Sequence, residues 1–326
     1  MQKFPDPSIR YRRKQQSLTR RGSALISALF IMTLVAIAAT AMSSRLQLDI
    51  YHARITIQSD NLYLASQAVT FWAMGELSNK SRQFSASDAN GKLLDFPAKM
   101  QGIYPDIRIQ GGLYDLQGRF NLNNIADKRY NLLFFNLLQE TLPKLNKPQR
   151  LAIADAIQQW ISPYQPGRGQ DQFVSYYLKQ NPPYYPSQQF ITSVTELRLI
   201  KGVDATVYKA LEPYTISLPE ITTINLNTAT RPVLAALGNN LDKNQVNEII
   251  EARGEKGFTS LKKVTKLLQK LNIRTELITI ESEFFLSVAS VSGEDLNMVS
   301  YSIFKRQKNK DGKLSISLIS ESINSL

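Results

Sequence analysis

Histidine and cysteine, on which most catalytic and metal-binding motifs depend, are almost absent from this sequence. Its 326 residues include one histidine, His52, and no cysteine. That composition excludes thiol catalysis, disulfide frameworks, zinc fingers, Ser-His-Asp triads and His-ligated metal centres. The acidic residues are scattered, and the sequence contains no glycine-rich phosphate loop. We therefore expect His52 to be a surface or packing residue and the protein not to be an enzyme.

Two stretches are similar to helix-hairpin-helix DNA modules, one from Val194 to Leu211 and one from Asn225 to Leu261. In DNA-binding versions, a hydrophobic-Gly-x-Gly turn lets the backbone approach a phosphate. Here Asp204 stands where the first turn should have its second glycine, and a carboxylate repels a phosphate. The residues thus favour a structural role. The rival hypothesis is a membrane-anchored DNA-binding protein of a competence or pilus machine.

The net charge of +12 is concentrated near the two ends of the chain. Residues 1–22 hold seven basic residues and one acidic residue, a net of +6, and residues 305–313 hold five and one, a net of +4. The long middle of the chain is nearly neutral. The total charge is therefore weak support for nucleic-acid binding, because a DNA-binding surface needs its basic residues on the binding domain.

An uncharged apolar run covers residues 23–44. As a helix it is about 30 Å long, enough to cross a membrane, and the basic segment before it predicts a cytoplasmic N-terminus. Three interpretations compete: a secretory signal peptide cut after Ala41, an uncut anchor, or a prepilin-type leader cut between Gly22 and Ser23. Residues 23–74 contain neither glycine nor proline, which predicts a helix continuing far beyond the membrane. That continuation favours the prepilin-type leader.

The helix beyond the membrane carries an apolar stripe with a seven-residue spacing, formed by Leu48, Ile55, Leu62 and Val69. A stripe of this spacing is typical of a helix that packs against another helix. We expect these four residues to be exposed and to bind partner helices.

The rest of the sequence predicts an α+β fold. Residues 103–125 alternate between apolar and polar residues around Gly111-Gly112, which predicts short strands joined by turns. Residues 284–291, 297–306 and 313–320 predict three more strands, the last two joined at Asp311-Gly312. Most of the interval between the two groups has helical spacing. We expect a long N-terminal helix packed on one antiparallel sheet, with an all-α domain inserted into that sheet.

Four features together give the chain a family resemblance. Ser27 occupies the fifth position after the expected cut, where most pilin-like proteins have glutamate. Three motifs follow in order, GRFNLNNI at 118–125, TSVTELRLI at 192–200 and INLNTATRPVLAAL at 224–237. This set resembles the minor pseudopilin K family of type II secretion systems. A serine at position 27 is then what a tip subunit tolerates, because no subunit above it presents an amine to neutralise.

The resemblance implies a non-enzymatic subunit at the tip of the pseudopilus, anchored in the inner membrane with its globular part in the periplasm. Prepilin peptidase and the minor pseudopilins of the I and J types are the implied partners, and nucleic acid is not. The expected segments are a leader at 1–22, a transmembrane helix at 23–44 and its amphipathic continuation at 45–80. They continue with a pilin-like domain at 81–125 and 281–326, and a helical insert at 126–280.

The family also holds calcium with several acidic side chains in a loop of the insert. This sequence departs from that pattern, since Gln159, Ser162, Tyr164 and Gln170 replace the acids and only Asp171 remains. Calcium requires six to eight oxygen ligands, including several carboxylates. We therefore expect no cofactor and no calcium, with Arg168 pairing with Asp171 instead.

Overall fold

The computed structural model describes residues 19–88, 91–167, 169–309 and 311–325. The chain divides into two compact units, Met1–Asp60 and Asn61–Leu326. The first helix contributes to both units. The described residues form the following α-helices: α1 (Thr19–Ser78), α2 (Asn131–Thr141), α3 (Lys147–Ile161), α4 (Asp171–Leu178), α5 (Ala205–Leu211), α6 (Arg231–Ala236), α7 (Lys243–Arg253) and α8 (Leu261–Lys270). Short 3₁₀-helices lie at Ala98–Met100, Leu122–Ala126, Lys128–Tyr130, Val194–Leu199, Glu212–Tyr214 and Thr275–Leu277.

The strands of the described residues form one large sheet and two small ones. They are β1 (Lys92–Asp95), β2 (Arg108–Asp115), β3 (Phe120–Asn121), β4 (Thr215–Ile216), β5 (Ile224–Asn225), β6 (Ile278–Thr279), β7 (Phe284–Ser292), β8 (Asn297–Lys308) and β9 (Leu314–Ile323). The large sheet has the order β1-β2-β7-β8-β9 and is antiparallel throughout. The predicted α+β fold, with a long helix, an antiparallel sheet and additional helices, is confirmed.

Helix α1 forms because residues 23–74 contain neither glycine nor proline, and it continues through Gly75 to Ser78 as predicted. In the first unit, the segment from Ser23 has the length and apolar composition of a membrane-crossing helix. Serine and threonine hydroxyls in this segment bond back to carbonyls of the same helix, as Thr40 does to Ala36 at 2.8 Å. These bonds satisfy the polar side chains within the helix itself.

In the second unit, the end of α1 packs on the large sheet. Its buried residues recur every three or four positions: Leu62, Ala65, Val69, Ala73 and Leu77. Their apolar partners on the sheet include Ile109 and Val291 in one cluster and Leu113 and Phe304 in another. This spacing places one face of the helix in the core.

Strands β2 and β7 are neighbours, with Arg108 opposite Ser292 and Asp115 opposite Phe285. The chain between them forms a helical insert with its own apolar core, whose buried members include Phe120, Phe134, Leu137, Ile157, Trp160, Tyr177, Leu211, Val233 and Leu234. The insert was predicted to be all-α, and the structure shows that it is not. It contains two parallel strand pairs, β3 with β4 and β5 with β6. Each pair is only two residues long, too short to give an alternating sequence pattern.

The glycine pair Gly111-Gly112 lies within β2 and not in a turn, so that prediction was wrong. A Cβ atom on Gly111 would lie 2.6 Å from Cγ1 of Val69 and 2.7 Å from the carbonyl oxygen of Val288. The glycine is present because α1 approaches the sheet closely at this point. Strand β1 was not predicted. The hairpin between β8 and β9 was predicted, and Gly312 has the positive φ of 72° that its turn requires.

Candidate partner-binding surface and helical insert

The expected processing site lies at the start of α1. Gly22 and Ser23 belong to the helix, while the leader up to residue 18 is outside the described residues. Cleavage between Gly22 and Ser23 stays a prediction. The hydroxyl of Ser27 donates to the carbonyl oxygen of Ser23 at 2.9 Å, so this side chain is satisfied within its own helix. It presents no charge at this position.

The predicted stripe is divided by the structure. Leu48 is exposed and Ile55 is half-buried. Leu62 and Val69 are only 2% and 0% exposed and lie in the core between α1 and the sheet. The prediction that these two residues are exposed partner contacts was therefore wrong. A seven-residue apolar spacing indicates that one face of a helix is packed against another element, but it does not show whether that element is a partner helix or the chain's own sheet.

The outward face of α1 in the second unit carries Leu64 and Phe71, which are 53% and 67% exposed. Large apolar side chains this exposed at a seven-residue spacing are typical of an interaction surface. In the first unit, Ile50 and Ile57 are also exposed, and they continue the same sequence spacing. This second series lies two residues after the first one in the sequence, and only the burial of Leu62 and Val69 distinguishes the first series from it.

Asp115 anchors the insert where the chain leaves the sheet. One of its carboxylate oxygens accepts from the backbone N–H of Gln117 at 2.8 Å. The other accepts from the side-chain amide of Asn225 at 2.9 Å and from the hydroxyl of Thr228. Burial raises the pKa of Asp115, and the donated hydrogen bonds oppose that rise. The carboxylate joins the sheet to the second half of the insert.

Two asparagines occupy equivalent places in the two halves of the insert. Asn123, just after β3, bonds the N–H and C=O of Ile191 at 2.8 and 2.9 Å. Asn227, just after β5, bonds the N–H and C=O of Phe258 at 2.6 and 3.0 Å. Each amide thus acts as a strand neighbour for a distant loop. The insert is a tandem of two similar units, each with a parallel strand pair and a buried asparagine.

Comparisons with known proteins match this two-part architecture. Two family models, both described as Type II secretion system (T2SS), protein K, match residues 118–220 and 224–281. Type II secretion system protein K of Pseudomonas aeruginosa is 33% identical over 209 residues, 62% of this chain and 61% of its own length. The protein of the same name from Aeromonas hydrophila is 27% identical over 328 residues, 90% of this chain and 94% of its own length. The chain belongs to the type II secretion system protein K family.

A solved structure shares the fold of this family member. A chain in the GspK-GspI-GspJ complex from enterotoxigenic Escherichia coli superposes with a TM-score of 0.66 at 19% identity, covering 84% of this chain and 100% of that chain. The resemblance inferred from Ser27 and the three motifs is confirmed. The two halves of the insert coincide with the two family models.

In this chain the first hairpin turn caps a helix and the second packs against another segment, which agrees with their structural interpretation. Asp204 accepts from the backbone N–H of Val207 at 2.8 Å and caps α5. Gly238 packs against the carbonyl oxygen of Leu271, where an added Cβ would approach to 2.5 Å. A glycine is needed there for close packing and for its φ of 57°. The comparisons give no support to the DNA-binding hypothesis.

The loop that holds calcium in the family does not fit the ion in this chain. Tyr164 and Asp171 bond to each other, with 2.7 Å between the hydroxyl and a carboxylate oxygen. Gln159, Ser162 and Gln170 provide no carboxylate. Within the described residues, no group of three or more His, Cys, Asp or Glu side chains is close enough to hold a metal. Arg168, the expected partner of Asp171, lies outside the described residues.

Proposed function

We propose that this chain is a non-enzymatic minor pseudopilin that acts at the tip of the type II secretion pseudopilus and assists protein export across the outer membrane. The observation that carries the proposal is α1, whose apolar, membrane-length segment continues into a helix packed on a pilin-like sheet. Its exposed apolar face is suited to helix-on-helix assembly. The family supplies the secretion context.

The tip position rests on two features of the chain. Ser27 bonds to its own helix and provides no carboxylate for the amine of a subunit above. The insert between β2 and β7 makes the sheet-bearing unit far larger than a plain helix-on-sheet unit, and its bulk opposes the stacking of another subunit. Both features favour an end position. The anchor lies in the inner membrane, with the basic N-terminus in the cytoplasm and the sheet and insert in the periplasm.

The proposed partners are minor pseudopilins of the I and J types, the companions named for the related solved complex. We expect them to contact the outward face of α1. In the second unit this face carries Leu64 and Phe71. Binding energy in such interfaces comes from a few apolar anchors.

The test is co-purification of the full chain with its I-type and J-type partners from membranes. Leu64→Glu combined with Phe71→Glu should abolish co-purification, because both charges lie on the proposed contact. Leu132→Glu combined with Leu199→Glu is the matched control, since both leucines are exposed in the insert. Circular dichroism should show that both double variants are folded. Retained binding by a folded Leu64→Glu, Phe71→Glu variant contradicts the proposed surface.

Processing gives a separate test of the pseudopilin proposal. Intact mass and N-terminal sequencing of the membrane-extracted protein should show a mature chain beginning at Ser23. Gly22→Val should leave the leader attached, because the peptidase cuts after glycine and a larger side chain obstructs it. A chain beginning just after Ala41, or one still carrying Met1, contradicts processing by a prepilin peptidase.

A further inference from the structure

The loop between α3 and α4 is closed by hydrogen bonds among its own side chains. The hydroxyl of Tyr164 donates to a carboxylate oxygen of Asp171 at 2.7 Å. That carboxylate raises the pKa of Tyr164, because it accepts the phenolic proton and repels the phenolate. The bond therefore joins the start of the loop to the first turn of α4.

Gln170 closes the same loop through both ends of its amide. Its oxygen accepts from the backbone N–H of Gln165 at 2.6 Å, and its nitrogen donates to the carbonyl oxygen of Pro163 at 3.5 Å. The hydroxyl of Ser162 donates to the carbonyl oxygen of Gln158 at 2.6 Å. The carbonyl oxygen of Pro163, which could otherwise coordinate a cation, thus accepts from the Gln170 amide.

Glu196 is a further carboxylate beside this part of the insert, and it is also committed to local bonds. One oxygen accepts from the backbone N–H of Thr192 at 2.7 Å, and the other accepts from the indole N–H of Trp160 at 3.3 Å. Burial acts to raise the pKa of Glu196, but these donated bonds outweigh it and lower the pKa. The carboxylate thus caps the 3₁₀-helix that begins at Val194.

We infer that hydrogen bonds replace calcium in this chain, with the Tyr164–Asp171 pair and the Gln170 amide closing the loop that the cation closes in related proteins. The insert then folds and remains closed without a divalent cation. Four substitutions account for the change: Gln159, Ser162, Tyr164 and Gln170 replace acids of the family pattern. The inference is independent of the proposed tip position and of the proposed partners.

The first test is thermal unfolding of the detergent-extracted full chain in excess chelator and in 1 mM calcium. The midpoint should differ by less than about 1 °C. A native calcium site with a dissociation constant of about 10 μM would raise it by roughly 5–10 °C. A rise of that size, or one equivalent of calcium in the purified chain, overturns the inference.

A second test restores the acids. Gln159→Asp, Ser162→Asp, Tyr164→Asp and Gln170→Glu together, with Asp171 retained, should make the midpoint rise by several degrees in calcium. The control variant changes the first three positions to Asn and keeps Gln170, and it should not respond. If the four-acid variant also fails to respond, these substitutions are not what removed the cation, and the inference is wrong on that point.

Hydrogen exchange tests the closure itself. Tyr164→Phe removes one hydrogen bond and should speed amide exchange in residues 162–170 about two- to fivefold, equally with and without calcium. Tyr185→Phe, an exposed tyrosine outside the loop, is the control and should leave that exchange unchanged. Unchanged exchange in the Tyr164→Phe chain shows that the Tyr164–Asp171 pair does not close the loop.

Discussion

Replacing Asp115 by alanine is expected to weaken the junction between the sheet and the insert. The residue is 3% exposed and accepts three hydrogen bonds where the chain leaves β2. Two of the donors are held in place, the backbone N–H of Gln117 and the amide of Asn225, which also donates to Ser282 at 2.8 Å. The third, the hydroxyl of Thr228, can rotate toward another acceptor. Alanine thus leaves two buried N–H groups without a partner, that of Gln117 and one of the two on the Asn225 amide.

The magnitude follows from those two donors. Each orphaned buried donor costs about 1–3 kcal/mol, which gives about 2–6 kcal/mol before compensation. Alanine also removes a carboxylate whose burial is unfavourable, as the raised pKa of Asp115 indicates. We therefore expect a loss of about 3 kcal/mol in the free energy of unfolding, or roughly 6–12 °C in the midpoint.

The assay is urea unfolding monitored by tryptophan fluorescence, because Trp72 lies on α1 and Trp160 lies in the insert core. Each tryptophan reports one side of the junction when the other is replaced by phenylalanine. The Asp115→Ala chain should unfold at lower urea by both reporters. A loss below about 1 kcal/mol refutes the assignment of Asp115 as the anchor of the insert.

The raised pKa of Asp115 also predicts how stability changes with pH. Because folding raises the pKa of Asp115 above its ordinary 3.8, the folded state holds this proton more tightly than the unfolded state. The stabilisation from that proton is complete below pH 3.8 and is lost as the pH rises through the folded pKa. The free energy of unfolding of the wild type, measured relative to that of Asp115→Asn, should therefore decrease as the pH rises across that range.

Further substitutions test close packing and the buried asparagines. Gly111→Ala places a methyl 2.6 Å from Val69 and should destabilise the chain by about 1–3 kcal/mol; Val69→Ala in the same chain should recover part of this loss in thermal unfolding. Asn227→Ala leaves the buried backbone N–H and C=O of Phe258 without their partner and should cost about 2–4 kcal/mol in urea unfolding. Asn123→Ala should cost a similar amount, and a much smaller loss there contradicts the equivalence of the two halves.

The elements that the sequence predicted well are those governed by local chemistry. Helix α1 follows from an interval without glycine or proline, and the β8–β9 hairpin follows from Asp311-Gly312. The helices α2 and α3 follow from apolar residues at helical spacing. In each case the decisive residues are neighbours in the chain, so tertiary context has little to override.

The features that the sequence could not supply depend on distant contacts. The parallel pairing of β3 with β4 joins residues about 95 positions apart. The bonds that Asn123 and Asn227 make to remote loops are equally non-local, although the repeated Asn-Leu-Asn of 121–123 and 225–227 was a visible signal of two similar units. Asp115 carries no motif of its own, and only the fold brings Asn225 and Thr228 to it.

The rotation of α1 about its own axis decides which of its two apolar series meets the sheet. Gly111 contributes to that choice, because its missing side chain admits Val69 to the sheet surface. With Val69 turned inward, Leu64 and Phe71 are left on the outer surface. A methyl at Gly111 therefore acts on two properties, the stability of the helix-on-sheet core and the direction in which the outer face points. The residues that hold the fold together also determine the surface proposed to bind partners.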